Sequence, residues 1–358
     1  MVGDAAPVSG KVALGQLRER VSPYTIPDAR TAAWQVIDTC VPYAALWVLM
    51  GYLLRHGYPY WTVAVPLVLA SAFYVRMFVL FHDCTHGSFL ASPRANRMVG
   101  RVLGVLTFTP FAVWGHHHAV HHGTYADLDH RGVGDIWTLT VQEYLAAPRV
   151  QRWAYRLYRS PWVMFGLGPI TLFVVAMRFP SKIDRGKERA SILFTNLALA
   201  AMVLAGCLVF GWRVYVPVQL AIVEVAGAAG IWLFYVQHQF EGVYWMRHAE
   251  WDPMDAAMTG SSHYRLPRLL RWATARIGVH FVHHISPRIP NYRLQECHDA
   301  ISALQTGKVV TLRRSLRSVR LNLWDEEHRA LVSFRSLRRA RLMPTPQPPP
   351  VVVPEFWR

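Results

Sequence analysis

Four apolar runs, set as two tight pairs, dominate the chain. Roughly Trp34 to Leu54 and Trp61 to Phe81 form the first pair, joined by Arg55-His56-Gly57-Tyr58-Pro59-Tyr60. Roughly Ile192 to Trp212 and Tyr215 to Val236 form the second, turning at Gly211, Trp212, Arg213 and Val214. Each run is near the ~20 residues that a helix needs to cross a bilayer core. The pattern predicts an all-α integral membrane fold with four transmembrane helices in two hairpins.

The polar intervals carry clustered histidines. They are His82 and His86; His118, His121 and His122; and His280, His283 and His284. Spacings of i,i+4 or i,i+3,i+4 put the rings of each cluster on one helix face. Zinc usually takes four ligands, so eight imidazoles exceed one ion and point to a pair. Imidazole suits iron, zinc, copper and nickel alike, and the spacing does not choose among them. A lone H-x-x-x-H recurs by chance, and a histidine-rich surface patch can scavenge metal. Two copies of H-x-x-H-H plus an H-x-x-x-H at the end of a span read instead as one shared site.

Two further apolar stretches, Met98 to Trp114 and Trp162 to Phe179, fix the topology. If the first crossed the membrane, the first two clusters would face opposite compartments. If the second crossed alone, the third cluster would be stranded. Both are therefore read as interfacial or re-entrant segments, which are tolerated when buried against protein. Together with a polar helical cap they would enclose the di-metal site. Arg76 and Glu224 fall inside predicted spans, where ionisable groups are functional candidates by default. Arg76 is expected to snorkel to the headgroups. Glu224 is expected to be protonated or paired, with no assigned role.

Composition agrees. Of 358 residues 53% are hydrophobic and only 17% charged, which is low for a soluble protein. The net charge of +16 does not signal nucleic acid, because the cations avoid the apolar runs. With four spans only Arg55 and Arg213 occupy the far-side turns. Arg94, Arg97, Arg101, Lys182, Arg185, Lys187 and Arg189 share the histidine side, which the positive-inside rule makes the cytosol. Cys40, Cys84, Cys207 and Cys297 form no C-x-x-C pair and are read as reduced thiols. No secretory signal is visible. The expected organisation is a polar segment over 1–30, a membrane domain over 31–300, basic amphipathic helices over 301–343 and a Pro-rich, extended or disordered tail over 344–358.

From about Ala32 to Cys297 the chain resembles the integral-membrane fatty acid desaturases, the histidine-box di-iron enzymes. His82-Asp83-Cys84-Thr85-His86-Gly87-Ser88-Phe89 resembles the first box of the acyl-lipid Δ12 (omega-6) group. Trp114 through Thr124 resembles the second box, W-x-x-x-H-x-x-H-H-x-T. Gly132 to Thr140 resembles a segment of bacterial members, and Val236 to Glu241 and His280 to Tyr292 resemble the C-terminal motifs. Two positions depart from the pattern: Thr85 stands where Gly or Ala is commoner, and Gly115 where many members have Arg or Lys.

The resemblance implies a ligand set of nine: His82, His86, His118, His121, His122, His238, His280, His283 and His284. No other catalytic residue is implied. His116 or His117 is expected to orient a ligand ring. His56 lies on the far face, and His130, His248, His263, His298 and His328 are read as surface or supporting residues. Asp83, Asp127, Asp129, Asp135 and Glu241 are candidates to accept from a ligand's outer nitrogen. The implied activity is O2-dependent: two iron ions, with electrons from a separate ferredoxin-like carrier, set a cis double bond in a long acyl chain. That chain would be linked to lipid, coenzyme A or a carrier protein. The spans and re-entrant segments would wall a tunnel for it, at the cytosolic face of a bacterial inner membrane. A hydroxylase, epoxygenase, acetylenase or ketolase on the same scaffold remains open. A membrane metal-binding or transport protein, or a zinc hydrolase, is a weaker alternative, because a transporter should place ligands near mid-span.

Overall fold

The structure, a computed structural model, describes residues 10–337. It is mainly helical, and four helices are long and apolar enough to cross a membrane: Ala29–Arg55, Tyr60–His86, Gly186–Phe210 and Trp212–His238. Their outward faces leave Val48, Trp61, Val65 and Leu208 more than half exposed. Surface that apolar requires lipid around it. The hairpins meet at the turn end. There a Cβ on Gly51 would lie 2.3 Å from the Phe210 ring, so only glycine allows this approach. Trp47 packs in tilted contact against both Phe210 and Tyr215, with ring centroids 5.5 and 5.1 Å away.

The helices extend beyond the apolar runs. The second runs on to His86 and the fourth to His238. His82, His86 and His238 therefore lie in the last turns of spanning helices rather than just beyond them. A rigid helix fixes their directions.

Neither shorter apolar stretch forms a straight span. Met98–Trp114 is split between helices Pro93–Leu106 and Phe111–Thr124, which are bent by 102° across Thr107–Pro110. Trp162–Phe179 becomes two π-helical segments, Trp162–Leu167 and Ile170–Val175, then a 3-10 turn. Pro161 and Pro169 precede the two π segments. A proline lacks the N–H that would continue a regular ladder, which loosens the winding there.

Two expectations need correction. Arg76 does not snorkel. It is 3% exposed and donates to Thr39 Oγ1 at 3.0 Å and to the Trp272 carbonyl at 2.6 Å. It also pairs with Asp38 at 3.2 Å. Asp38 and a carbonyl within reach satisfy the guanidinium without headgroups. Among the described residues, the segment from 301 to 337 is not a run of amphipathic helices. It holds a 3-10 segment, Ser302–Thr306, one α-helix of about two turns, Leu312–Ser318, and the strands Val309–Thr311, Leu323–Asp325 and Ala330–Val332. Asp325 accepts from the Glu327 and His328 amides, closing a hairpin. Val309–Thr311 pairs with His263–Arg265, and Leu323–Asp325 with Leu139–Thr140, so distant strands override the local helical pattern. The Pro-rich tail lies outside the described residues.

The polar N-terminal segment contributes a helix, Gly10–Val21, which buries Leu14, Leu17 and Val21. Its Arg18 Nε donates to the Ile285 carbonyl at 2.8 Å, bracing the third histidine cluster.

Candidate metal centre

Nine histidines converge from four elements: the ends of the second and fourth spanning helices, helix Phe111–Thr124 and helix His280–Ile285. One group joins His82, His86, His118, His122 and His283, with a ligand atom of each within 4.8 Å of the others. A second joins His121, His238 and His284. His280 adds to the second, its Nε2 lying 3.0 Å from His238 Nε2 and 3.1 Å from His284 Nε2.

Ring orientation follows from the outer contacts. His82 Nδ1 lies 3.1 Å from Asp83 Oδ1, and His121 Nδ1 lies 2.5 Å from Asp135 Oδ1. His238 Nδ1 lies 3.3 Å from the Gly260 carbonyl. Carboxylates and carbonyls only accept, so these Nδ1 atoms carry the proton and the Nε2 lone pairs point inward. Asp83 is itself fixed: its Oδ2 accepts from the Asn291 amide at 2.6 Å and from Asn291 Nδ2 at 2.9 Å. Gly134 has φ +70°, and a Cβ there would lie 3.0 Å from the His117 carbonyl. Glycine thus lets the loop lie close enough for Asp135 to reach His121.

The inward nitrogens are crowded. His82 Nε2 lies 2.8 Å from His118 Nε2, His122 Nε2 lies 3.2 Å from His118 Nε2, and His283 Nε2 lies 3.0 Å from His122 Nε2. Lone pairs at such distances repel unless a cation sits between them. Protons are a poor solution, because burial and then neighbouring histidines hold His118, His122, His280, His283 and His284 well below the usual imidazole range. His86 Nε2 and His121 Nε2 are buried with no hydrogen-bond partner among the described residues. Nitrogens about 3 Å apart are cis neighbours around an ion bound at about 2.1 Å. Two metal ions therefore fit these two groups.

The comparisons agree with the geometry. The family model for fatty acid desaturases matches residues 59–315. A Bacillus subtilis protein named fatty acid desaturase is 43% identical over 334 residues, covering 93% of this chain and 94% of its own. The chain belongs to the fatty acid desaturase family. A Synechocystis sn-1 oleoyl-lipid 12-desaturase is 25% identical, covering 71% of this chain and 72% of its own. A Synechocystis sn-1 acyl-lipid omega-3 desaturase (ferredoxin) is 26% identical over 66% of each chain.

The desaturase sorts the other candidate residues. Asp83 and Asp135 do hold ligand-type rings. Asp127 and Asp129 do not: Asp127 lies between His130 and His248 at 2.8 and 2.7 Å, and Asp129 accepts from Arg247 at 2.7 Å. A backbone β-bridge pairs Asp127 with Met246. Glu241 is exposed. His117 and His116 also point elsewhere, to Asp184 at 3.1 Å and Glu188 at 3.6 Å. His56 bonds the Tyr52 carbonyl at the far turn, and His263 faces His298. Sequence reasoning missed Asn291 and the Gly260 carbonyl. Asn291 lies in the quoted C-terminal motif, but its contact is made 208 residues away. A carbonyl leaves no side-chain signal at all.

A cavity of about 380 Å³ reaches the centre at His82, His118 and His280. Its walls include Phe78, Trp114, Phe173, Gly230 and Phe234. The second re-entrant segment walls it, while the first contributes only through Val113 and Trp114 of its second helix.

Proposed function

We propose that this desaturase holds two iron ions in the two histidine groups and introduces a cis double bond into a long acyl chain. O2 is the co-substrate, and a separate protein supplies the electrons. One observation carries the reading: nine inward-facing imidazoles, in two adjoining groups, end an apolar cavity. Iron is favoured because removing hydrogen from an unactivated methylene needs an oxidant and zinc has no redox chemistry. A group of five histidines also exceeds zinc's usual four.

When bound, the irons supply the oxidising chemistry; the chain's residues supply position and environment. Asp83 and Asp135 hold His82 and His121 so that their Nε2 atoms face inward. The aromatic wall of Phe78, Trp114, Phe173 and Phe234 excludes water and confines an extended chain beside the centre. Electrons are proposed to arrive on the basic histidine side from an acidic, ferredoxin-like carrier, as complementary charge favours. A Synechocystis relative carries ferredoxin in its name. The positive-inside bias supports a cytosolic active site in a cytoplasmic membrane. The relatives' names include both 12- and omega-3 positions, so bond position is read from product.

Expression in a host lacking polyunsaturated lipid, followed by fatty-acid profiling with double-bond location, tests the reading. A new cis alkene is expected. A hydroxylated product with no new alkene contradicts it. Unchanged lipid together with metal uptake that His121→Ala abolishes would favour a transporter.

A further inference from the structure

The acyl carrier is the open part of this reading, and the rim of the cavity speaks to it. The rim is the loop from Phe179 to Arg185, between the second re-entrant segment and the third spanning helix. Phe179, Ser181 and Ile183 line the cavity, while Lys182 and Arg185 are exposed, as is Lys187 on the helix's first turn. The alternation puts an apolar edge inside and cations outside.

The loop is pinned. Asp184 accepts from the Ser181 amide at 2.6 Å and contacts His117 Nε2 at 3.1 Å, and Arg189 Nε donates to its carbonyl at 3.2 Å. His117 adjoins His118, so the rim is tied to the metal centre's own helix. The segment's two acids are engaged elsewhere: Asp184 contacts His117, and Glu188 contacts His116 and accepts from the Arg185 backbone amide at 3.0 Å, so neither forms an ion pair with the Lys182, Arg185 or Lys187 side chain among the described residues. Ser181 Oγ is buried with no hydrogen-bond partner among the described residues. Leu167 and Phe179 line the cavity and are nonetheless 64% and 68% exposed. The cavity therefore opens sideways, toward lipid, at the depth where a spanning helix begins. Headgroup phosphates lie at that depth.

Resting on the desaturase reading, we propose that Lys182, Arg185 and Lys187 bind the phosphate of a glycerophospholipid in the surrounding leaflet. Its acyl chain enters sideways past Leu167 and Phe179, and the Ser181 hydroxyl donates to the ester carbonyl. The committed occupant is a bilayer phospholipid; a soluble acyl thioester is the competing outcome.

The test compares the wild-type protein with the triple variant K182Q/R185Q/K187Q, after equal melting temperature and metal content have been established. Native mass spectrometry measures retention of phosphatidylglycerol against monogalactosyl diacylglycerol with the same acyl chains. This readout needs no turnover. The phospholipid-to-galactolipid ratio should fall at least about tenfold in the triple variant and be kept by K182R/R185K/K187R. An unchanged ratio overturns the proposal. So does a wild-type preference for acyl-coenzyme A over phospholipid that the triple variant loses. A parallel turnover assay separates the two readings. If wild type desaturates nothing but the ratio still falls, the desaturase reading fails and the phosphate site stands.

Discussion

Thr85 and Gly115 face each other beside the metal centre. A Cβ on Gly115 would lie 3.6 Å from the Thr85 Cβ. The two positions where this chain departs from its family's pattern are thus one contact. Bulk gained on the second spanning helix meets a missing side chain on helix Phe111–Thr124. Gly115→Lys should therefore lower activity about tenfold through crowding, a cost on the order of 1–3 kcal/mol. Thr85→Gly in the same chain should restore most of it. Turnover in a double-mutant cycle measures the coupling; additive losses would show that the contact is irrelevant.

Asp135 and Asp127 are equally buried carboxylates with different duties. Asp135 holds His121, whereas Asp127 holds the exposed His130 and His248. Asp135→Ala should weaken metal binding in the second group by about 10–100-fold. Asp127→Ala should leave metal content intact. Metal analysis after dialysis against a graded chelator separates the two.

The cavity wall offers a chain-length test. A Cβ on Gly230 meets nothing within 4 Å, so Gly230→Leu should fold and occupy acyl space. Conversion should shift toward shorter chains in fatty-acid profiles. At Gly227 a Cβ would lie 2.7 Å from Pro169 Cβ, so Gly227→Leu should instead lower the melting temperature. An unchanged profile in Gly230→Leu would remove this wall from substrate selection.

Acid sensitivity has an identifiable contributor away from the metals. Burial, then the charge of His298, pushes His263 down to about 4 from 6.5. Between those values the unfolded chain binds a proton that the folded chain refuses. Stability therefore falls as pH drops from 6.5 to about 4, by at most about 1.4 kcal/mol per unit. His263→Phe should flatten melting temperature against pH across that window. A slope equal to wild type would assign the loss to other groups.

The sequence carried the parts of this protein that repeat with a period. Unbroken apolar runs marked the four spans, because lipid requires a long apolar helix. Helical spacing marked eight histidines, because each cluster presents one face. His238 stands alone in its helix turn and came only from resemblance to a family. What stayed hidden depends on contacts distant in the chain. Asn291 reaches Asp83, Asp38 meets Arg76 across two helices, and strand Leu323–Asp325 finds Leu139–Thr140. No local pattern announces these pairings.

The proposed centre is two irons in two unlike histidine groups. Protein expressed with 57Fe and purified under reducing, zinc-free conditions should contain two irons per chain. Its Mössbauer spectrum should show two quadrupole doublets of equal area, one for the five-histidine group and one for the group of His121, His238, His280 and His284. One iron per chain, or an iron-free protein that binds zinc and still desaturates, would contradict the account.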